Sequence, residues 1–328
     1  MTDIPKVELH LHLEGAAPSA LIRDISREKS VDIGGIFDAD GNYAYKGFDQ
    51  FLKVYEAATS VLTTPEDYRR LTLAVLEECA AHGVVYAETF ISPDFCGDRE
   101  VGAWREYLHA IQEAADQAER SDGILLRGVV TCVRHFGPEK AKETALCAAE
   151  TAGDWIVGFG MGGAETMGRQ GDFTYAFDMA REAGLRLTTH AGEWRGPQEI
   201  RDALTDLKVE RIGHGVRAIE DPSLVDHLAE TGVVLEVCPG SNISLGVYNS
   251  LKDHPVAKLR DAGVPVTVST DDPPFFHTTM TREYDMLAET FGWSEAEFSD
   301  LNKTAAKAAF CTDETREKVL KKLEDADD

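Results

Sequence analysis

The chain has 328 residues, 43% hydrophobic and 28% charged, the proportions of an ordinary water-soluble globular protein with room for a large core. Acidic residues outnumber basic ones 58 to 33, a formal charge of −25 that disfavours nucleic acid, anionic membranes and multiply charged nucleotides as partners. Six scattered cysteines without a C-x-x-C pair, a polar start at Met1-Thr2-Asp3 and no apolar run of spanning length point to a cytoplasmic protein. It is expected to keep reduced thiols and to have no signal peptide and no membrane span.

The first element is the run Val7 to Glu14, which alternates strictly and has the period of a strand. Val7, Leu9, Leu11 and Leu13 share one face, and Glu8, His10, His12 and Glu14 the other. Two imidazoles one pleat apart suit a shared metal ion, although a purely structural pair has the same spacing. Residues 18–30 and 48–62 read as helices joined by a Gly/Asp-rich connection. Phe48, Phe51, Leu52 and Tyr55 recur at helical spacing, which suits either a core-facing stripe or a cover over a pocket. Thr64-Pro65-Glu66 opens a long helix to about His82.

Short apolar strands then alternate with amphipathic helices. The strands are Val84–Ile91, Ile124–Val133, Trp155–Met161, Arg186–His190, Arg211–His214, Val233–Cys238 and Pro265–Ser269, and helices near 101–120, 138–151, 172–183, 197–206, 221–231 and 254–262 separate them. With the first strand, this is the arithmetic of an α/β (β/α)8 TIM-type barrel, with extra helices near the pocket mouth. No linker or composition shift divides residues 1–328, so a single domain is expected. The charged tail from Glu314 to Asp328 reads as a last helix that frays.

Barrel sites form at the C-terminal ends of strands. Those ends carry His10, His12 and Glu14 after strand one, Gly162-Gly163 after strand four, and His190-Ala191-Gly192-Glu193 after strand five. His214 ends strand six, Cys238-Pro239-Gly240-Ser241-Asn242 follows strand seven, and Asp271-Asp272 follows strand eight. His82, His109, His135, His227, His254 and His277 fall in helices or connections and read as surface or satisfied histidines. His10, His12, His190 and Asp271 make an N/O set suited to one Zn²⁺ per chain, which lowers the pKa of a bound water to about 7. Glu193 stands close enough to His190 to shuttle that water's proton, and His214 can hydrogen-bond the hydroxide. Strand four lacks the lysine of a bridged two-metal site, and the absence of C-x-x-C rules out the cytidine-deaminase arrangement.

The segments Pro5 to Gly15, His190-Ala191-Gly192-Glu193, Arg211-Ile212-Gly213-His214-Gly215 and Ser269-Thr270-Asp271-Asp272-Pro273 together resemble the adenosine deaminase family of the amidohydrolase superfamily, from about Pro5 to Phe310. The resemblance implies hydrolytic removal of ammonia from C6 of an aminopurine. It implies zinc held by His10, His12, His190 and Asp271, with Glu193 protonating purine N1 and His214 orienting the hydroxide. Asp272 would meet N7, the Gly163 amide N3, and Glu14, beside His12, the ribose side. The segment around Phe48–Leu62 resembles the family's apolar helix beside the pocket mouth. Glu14 stands where adenosine-specific members have Asp, as in adenine-specific relatives. Gly213, the Thr270-Asp271-Asp272-Pro273 run and Gly160 depart from the adenine pattern or from the animal adenosine one. Adenosine and 2′-deoxyadenosine are therefore the expected substrates, with adenine or a modified adenine as the alternative. A purine-binding barrel without activity would need a broken ligand set, which is not seen. The expected partner is a small purine nucleoside or base; the oligomeric state is unassigned.

Overall fold

In the computed structural model, which describes residue 1 and residues 4–325, eight parallel strands follow one another round a nearly closed barrel in chain order. They are β1 (Lys6–His12), β2 (Val84–Ile91), β3 (Leu125–Val133), β4 (Ile156–Gly162), β5 (Arg186–Ala191), β6 (Arg211–His214), β7 (Val234–Val237) and β8 (Val266–Val268). The seam between first and last strands is a short parallel bridge between Leu11 and Asp271. There the His12 amide donates to Asp271 O and the Asp271 amide to His10 O, both at 3.0 Å.

The barrel's outer layer begins with α1 (Ser19–Lys29), α2 (Phe48–Thr59), α3 (Pro65–Ala81), α4 (Val101–Asp122), α5 (Pro138–Ala149), α6 (Thr174–Glu182) and α7 (Pro197–Asp202). It continues with α8 (Pro222–Thr231), α9 (Pro239–Ser244), α10 (Val256–Asp261), α11 (Pro273–Phe276), α12 (Met280–Phe291), α13 (Glu295–Ala308) and α14 (Asp313–Glu324). The start of α3 follows from sequence. The Asp67 amide donates to Thr64 Oγ1, the Asp67 carboxylate accepts from the Thr64 amide, and Pro65 fills the first turn. Among the described residues no helix is long and apolar enough to cross a membrane.

Several expected boundaries move. The alternation at the N-terminus does not continue as a strand to Glu14: β1 ends at His12, where the chain turns and the Ala16 amide donates to His12 O. Helices α9 and α11 fall in segments after strands seven and eight to which no element was assigned, because Pro239 and Pro273 each open a helical turn there. Residues 326–328 of the expected fraying tail lie outside the described residues.

The apolar side of β1 faces the outer layer, with Val7 and Leu9 packing among Ala305, Val319 and Leu323. Its polar side faces the barrel interior. That interior carries a buried charge cluster: Arg211 Nε meets Glu236 Oε1 at 2.6 Å and Arg211 Nη2 meets Glu88 Oε2 at 2.7 Å. Glu88 also accepts from the Phe310 amide, and the Arg211 guanidinium lies 3.5 Å from the Phe310 ring centre. All three charged side chains are almost completely buried. Removing the cation leaves two carboxylates without compensation, so Arg211→Met is expected to cost about 3–5 kcal/mol of stability. Urea unfolding measures it, and a loss below about 1 kcal/mol would mean that the cluster relaxes or takes up protons instead.

Candidate active site

The strand ends deliver a ring of donors to one rim. His12 Nε2 lies 3.2 Å from His190 Nε2. Asp271 Oδ1 lies 3.3 Å from His12 Nε2 and 3.5 Å from His10 Nε2. Side chains one pleat apart on β1 project to the same side, so His10 and His12 arrive together, and Asp271 reaches them across the barrel seam. Asp271 has φ +68°, a left-handed conformation that turns its carboxylate into the ring.

Hydrogen bonds behind the ring decide which imidazole nitrogens are free. His10 Nδ1 donates to Glu236 Oε2 at 2.9 Å, and His190 Nδ1 donates to the Met161 carbonyl at 2.8 Å. Both rings therefore present an unprotonated Nε2 to the centre, and His10 Nε2 is buried there without a hydrogen-bond partner. Buried lone pairs facing one another around a carboxylate are repulsive alone and suit a cation. Separations of 3.2–3.5 Å are those of ligands about 2.0–2.2 Å from a single ion. The donor set thus fits a divalent metal, with Glu236 and the Met161 carbonyl orienting two of its histidines.

His214 Nε2 also stands within 4.8 Å of donor atoms of His10, His190 and Asp271, so His214 competes with His12 for a place in the set. A hydrogen-bond chain separates their roles. The Val256 amide donates to His254 Nδ1, which leaves His254 Nε2–H to donate to Asn242 Oδ1 at 3.1 Å. Asn242 Nδ2 then donates to His214 Nδ1 at 3.3 Å. His214 must carry its proton on Nε2, and it offers the centre a donor instead of a lone pair. That Nε2–H lies 3.9 Å from Glu193 Oε2 and 3.8 Å from Asp271 Oδ2. Burial keeps His214 neutral by lowering its pKa to about 3. Burial likewise raises the Glu193 carboxyl well above the usual range, and the neighbouring Asp271 charge adds to the effect.

Above the ring lies a pocket open to solvent. Its floor carries His12, His190, Glu193, His214, Asp271 and Asp272, and its wall includes Glu14, Gly162 and Gly163. Phe48, Phe51, Leu52 and Tyr55 of α2 all line it, so the apolar stripe covers the pocket. Glu14 is 2% exposed and accepts from Tyr68 Oη at 3.1 Å; burial lifts its pKa to about 7. Asp272 Oδ1 is buried without a partner. Gly163 has φ +96°, and a Cβ there would stand 2.7 Å from His135 Nδ1, so the close turn needs glycine.

Each candidate metal, catalytic or substrate residue named from sequence lies in the donor ring or the pocket lining. His135, read as a surface or satisfied histidine, is satisfied, its Nδ1 accepting from the Ala164 amide and its Nε2 pairing with Glu56 Oε1 of α2 at 3.3 Å, and it also lines the pocket. His254 is satisfied, as expected, but its partner Asn242 touches the centre. Asn242 and Ser241, which donates to Asp271 Oδ2 at 2.7 Å, were read at the rim without a role, and Glu236 was not foreseen as a site residue. Glu236 did carry a signal, since a charge inside an otherwise apolar buried strand needs a partner.

Comparison with known proteins adds to this geometry. The family profile described as adenosine deaminase matches residues 5–326. An adenine deaminase of Rhizobium leguminosarum bv. trifolii is 48% identical over 320 residues, 98% of this chain and 99% of that protein. The crystal structure of adenine deaminase from Arthrobacter aurescens aligns at a TM-score of 0.90 with 30% identity, covering 98% of both chains. A zinc-bound amidohydrolase from Burkholderia ambifaria aligns at 0.86 with 25% identity, covering 99% of this chain and 92% of the other.

Proposed function

The chain belongs to the adenosine deaminase family, hydrolytic deaminases acting on the C–N bond of a cyclic amidine, and from that premise we propose that its substrate is the free base adenine, which water converts to hypoxanthine and ammonia. This reverses the order expected from sequence, where adenosine stood first. The relatives named adenine deaminase support the change. So do Gly213 and Thr270, which had favoured adenosine, and Gly160, which departs from the animal adenosine pattern. A Cβ at Gly213 would meet His10 Cε1 at 2.9 Å, so that residue answers to the packing of His10. Thr270 bonds buried Glu8 at 2.9 Å through its amide, and a Cβ at Gly160 would face Thr131 and Thr188. None of the three lines the pocket.

Glu14 does line it, and it is the observation that carries this reading. Free adenine has an N–H at N9 that a nucleoside lacks. A carboxylate clamped by Tyr68 in the pocket wall is an acceptor for that N–H and occupies room a ribose needs. Glu193 gives a proton to N1 and so makes C6 electrophilic. His214 Nε2–H steadies the attacking oxygen, Asp272 meets N7 and the Gly163 amide meets N3. His10, His12, His190 and Asp271 hold the metal, assigned as zinc from its N/O ligands and from the zinc-bound relative. When bound, it acidifies water enough to supply a nucleophile at neutral pH.

Loss of purine absorbance, followed with adenine and adenosine in parallel, tests the substrate. Adenine is expected to be favoured in kcat/KM by about 10⁴-fold, the discrimination of a site built around a substrate N–H. Glu14→Ala should lower kcat/KM for adenine about 10- to 100-fold. Equal or faster turnover of adenosine by the unmodified protein would overturn the reading.

A further inference from the structure

Glu193 is held loosely by its own side chain. Its carboxylate accepts from Asn242 Nδ2 at 3.4 Å, interacts with the Trp194 side chain and approaches His214 only to 3.9 Å. Contacts of that length do not fix a rotamer. Its backbone, by contrast, is held closely. The Gly192 amide donates to Glu165 Oε1 at 2.5 Å, and the Trp194 and Arg195 amides donate to Glu165 Oε2 at 2.5 and 3.0 Å. The Glu193 carbonyl accepts from Arg217 Nε at 2.9 Å. Gly192 has φ +72°, which turns successive N–H groups toward a common centre, the concavity that binds anions elsewhere. Here the anion is a side chain of the same protein. Three N–H donors to two oxygens identify Glu165 as a carboxylate, and it is only 2% exposed.

We propose that Glu165 is a positioning residue for Glu193, holding the Gly192–Arg195 backbone through three amides so that the Glu193 carboxyl is aimed into the pocket. Glu165 is well placed to tie this loop to the purine. It lies two residues after Gly163, and the intervening Ala164 amide donates to His135 Nδ1 at 3.3 Å. The purine-facing turn after β4 and the acid-bearing turn after β5 are therefore one bracket, with Glu165 as the link between them. The opposite end of the acid-bearing turn touches the pocket cover, where Trp194 packs on Phe48 at 5.1 Å between ring centres. The proposal rests on the reading of Glu193 as the proton donor.

A double-mutant cycle on the metal-loaded enzyme with adenine tests it. In Glu165→Gln one oxygen becomes an NH₂ that confronts backbone N–H groups. We expect kcat to fall about 10²-fold, the effect of displacing a catalytic group by about 1 Å, with KM and metal content nearly unchanged. If Glu165 acts only through Glu193, the Glu165→Gln/Glu193→Gln double variant is no slower than Glu193→Gln alone. A general structural role would instead multiply the two losses, and that result overturns the proposal. So would a Glu165→Gln enzyme of unchanged kcat beside an inactive Glu193→Gln, which leaves the proton-donor reading standing. An active Glu193→Gln would remove that reading and the proposal with it. If Glu165→Gln does not fold, Glu165→Asp, which keeps the charge but is too short for all three amides, replaces it in the same cycle with the same criteria.

Discussion

Glu193→Gln is expected to lower kcat for adenine by about 10²–10⁴-fold, the range for removing a positioned general acid. The amide has the size and shape of the acid, so packing at this buried position is kept and only the transferable proton is lost. KM and metal content should stay within about threefold, because none of the four converging donor atoms belongs to Glu193. Steady-state kinetics with metal analysis on the same sample separates the alternatives. A variant retaining most of its kcat would move the proton to another pocket carboxyl, Asp272, Glu14 or Glu56, and would remove Glu193 from the chemistry.

Stripping the metal with a chelator is expected to reduce turnover to background and to lower the thermal midpoint. The donor ring explains why both should change together. Without a cation, the buried donors of His10, His12, His190 and Asp271 have no ion to converge on, and His10 Nε2 has no hydrogen-bond partner among the described residues. An ion present at about 1,000 times its Kd stabilises the native state by about 4 kcal/mol, a shift on the order of 5–15 °C for a domain of this kind. One equivalent of Zn²⁺ should restore both properties. Equal midpoints and full activity in the stripped protein would show that the ring holds no ion.

The barrel and the rim were legible in the sequence because both depend on periodicity. A parallel strand buried on both faces reads as an apolar run, and the polar residue at its C-terminal end then lies at the site by topology alone. This is how His190, His214 and Asp271 were found. Glu14 was read by the same alternation carried two residues past the end of β1 at His12, and it is the turn there that brings it to the pocket wall. The residues behind the ring left weaker traces. Asn242 depends on α9 folding directly after β7, and Glu165 on the path of an irregular loop, neither of which has a period. The expected order of substrates leaned on departures at Gly213 and Thr270, and neither residue lines the pocket, nor does Gly160. Their side chains, or the space one would fill, face His10, Glu8 and the barrel interior.

The seam between β1 and β8 bears on how the protein is made. His10 and His12 leave the ribosome near the start of synthesis, whereas Asp271 follows some 260 residues later, and the short bridge at Leu11 is the join that brings them together. A partly synthesised chain can pair its early strands but cannot assemble the four-donor ring. Such a chain exposes two neighbouring histidines that have yet to meet their carboxylate. The complete four-donor set therefore depends on the most non-local strand pairing in the fold, and a chain that has not closed lacks the carboxylate of that set. Loading and activity report that the last strand has found the first.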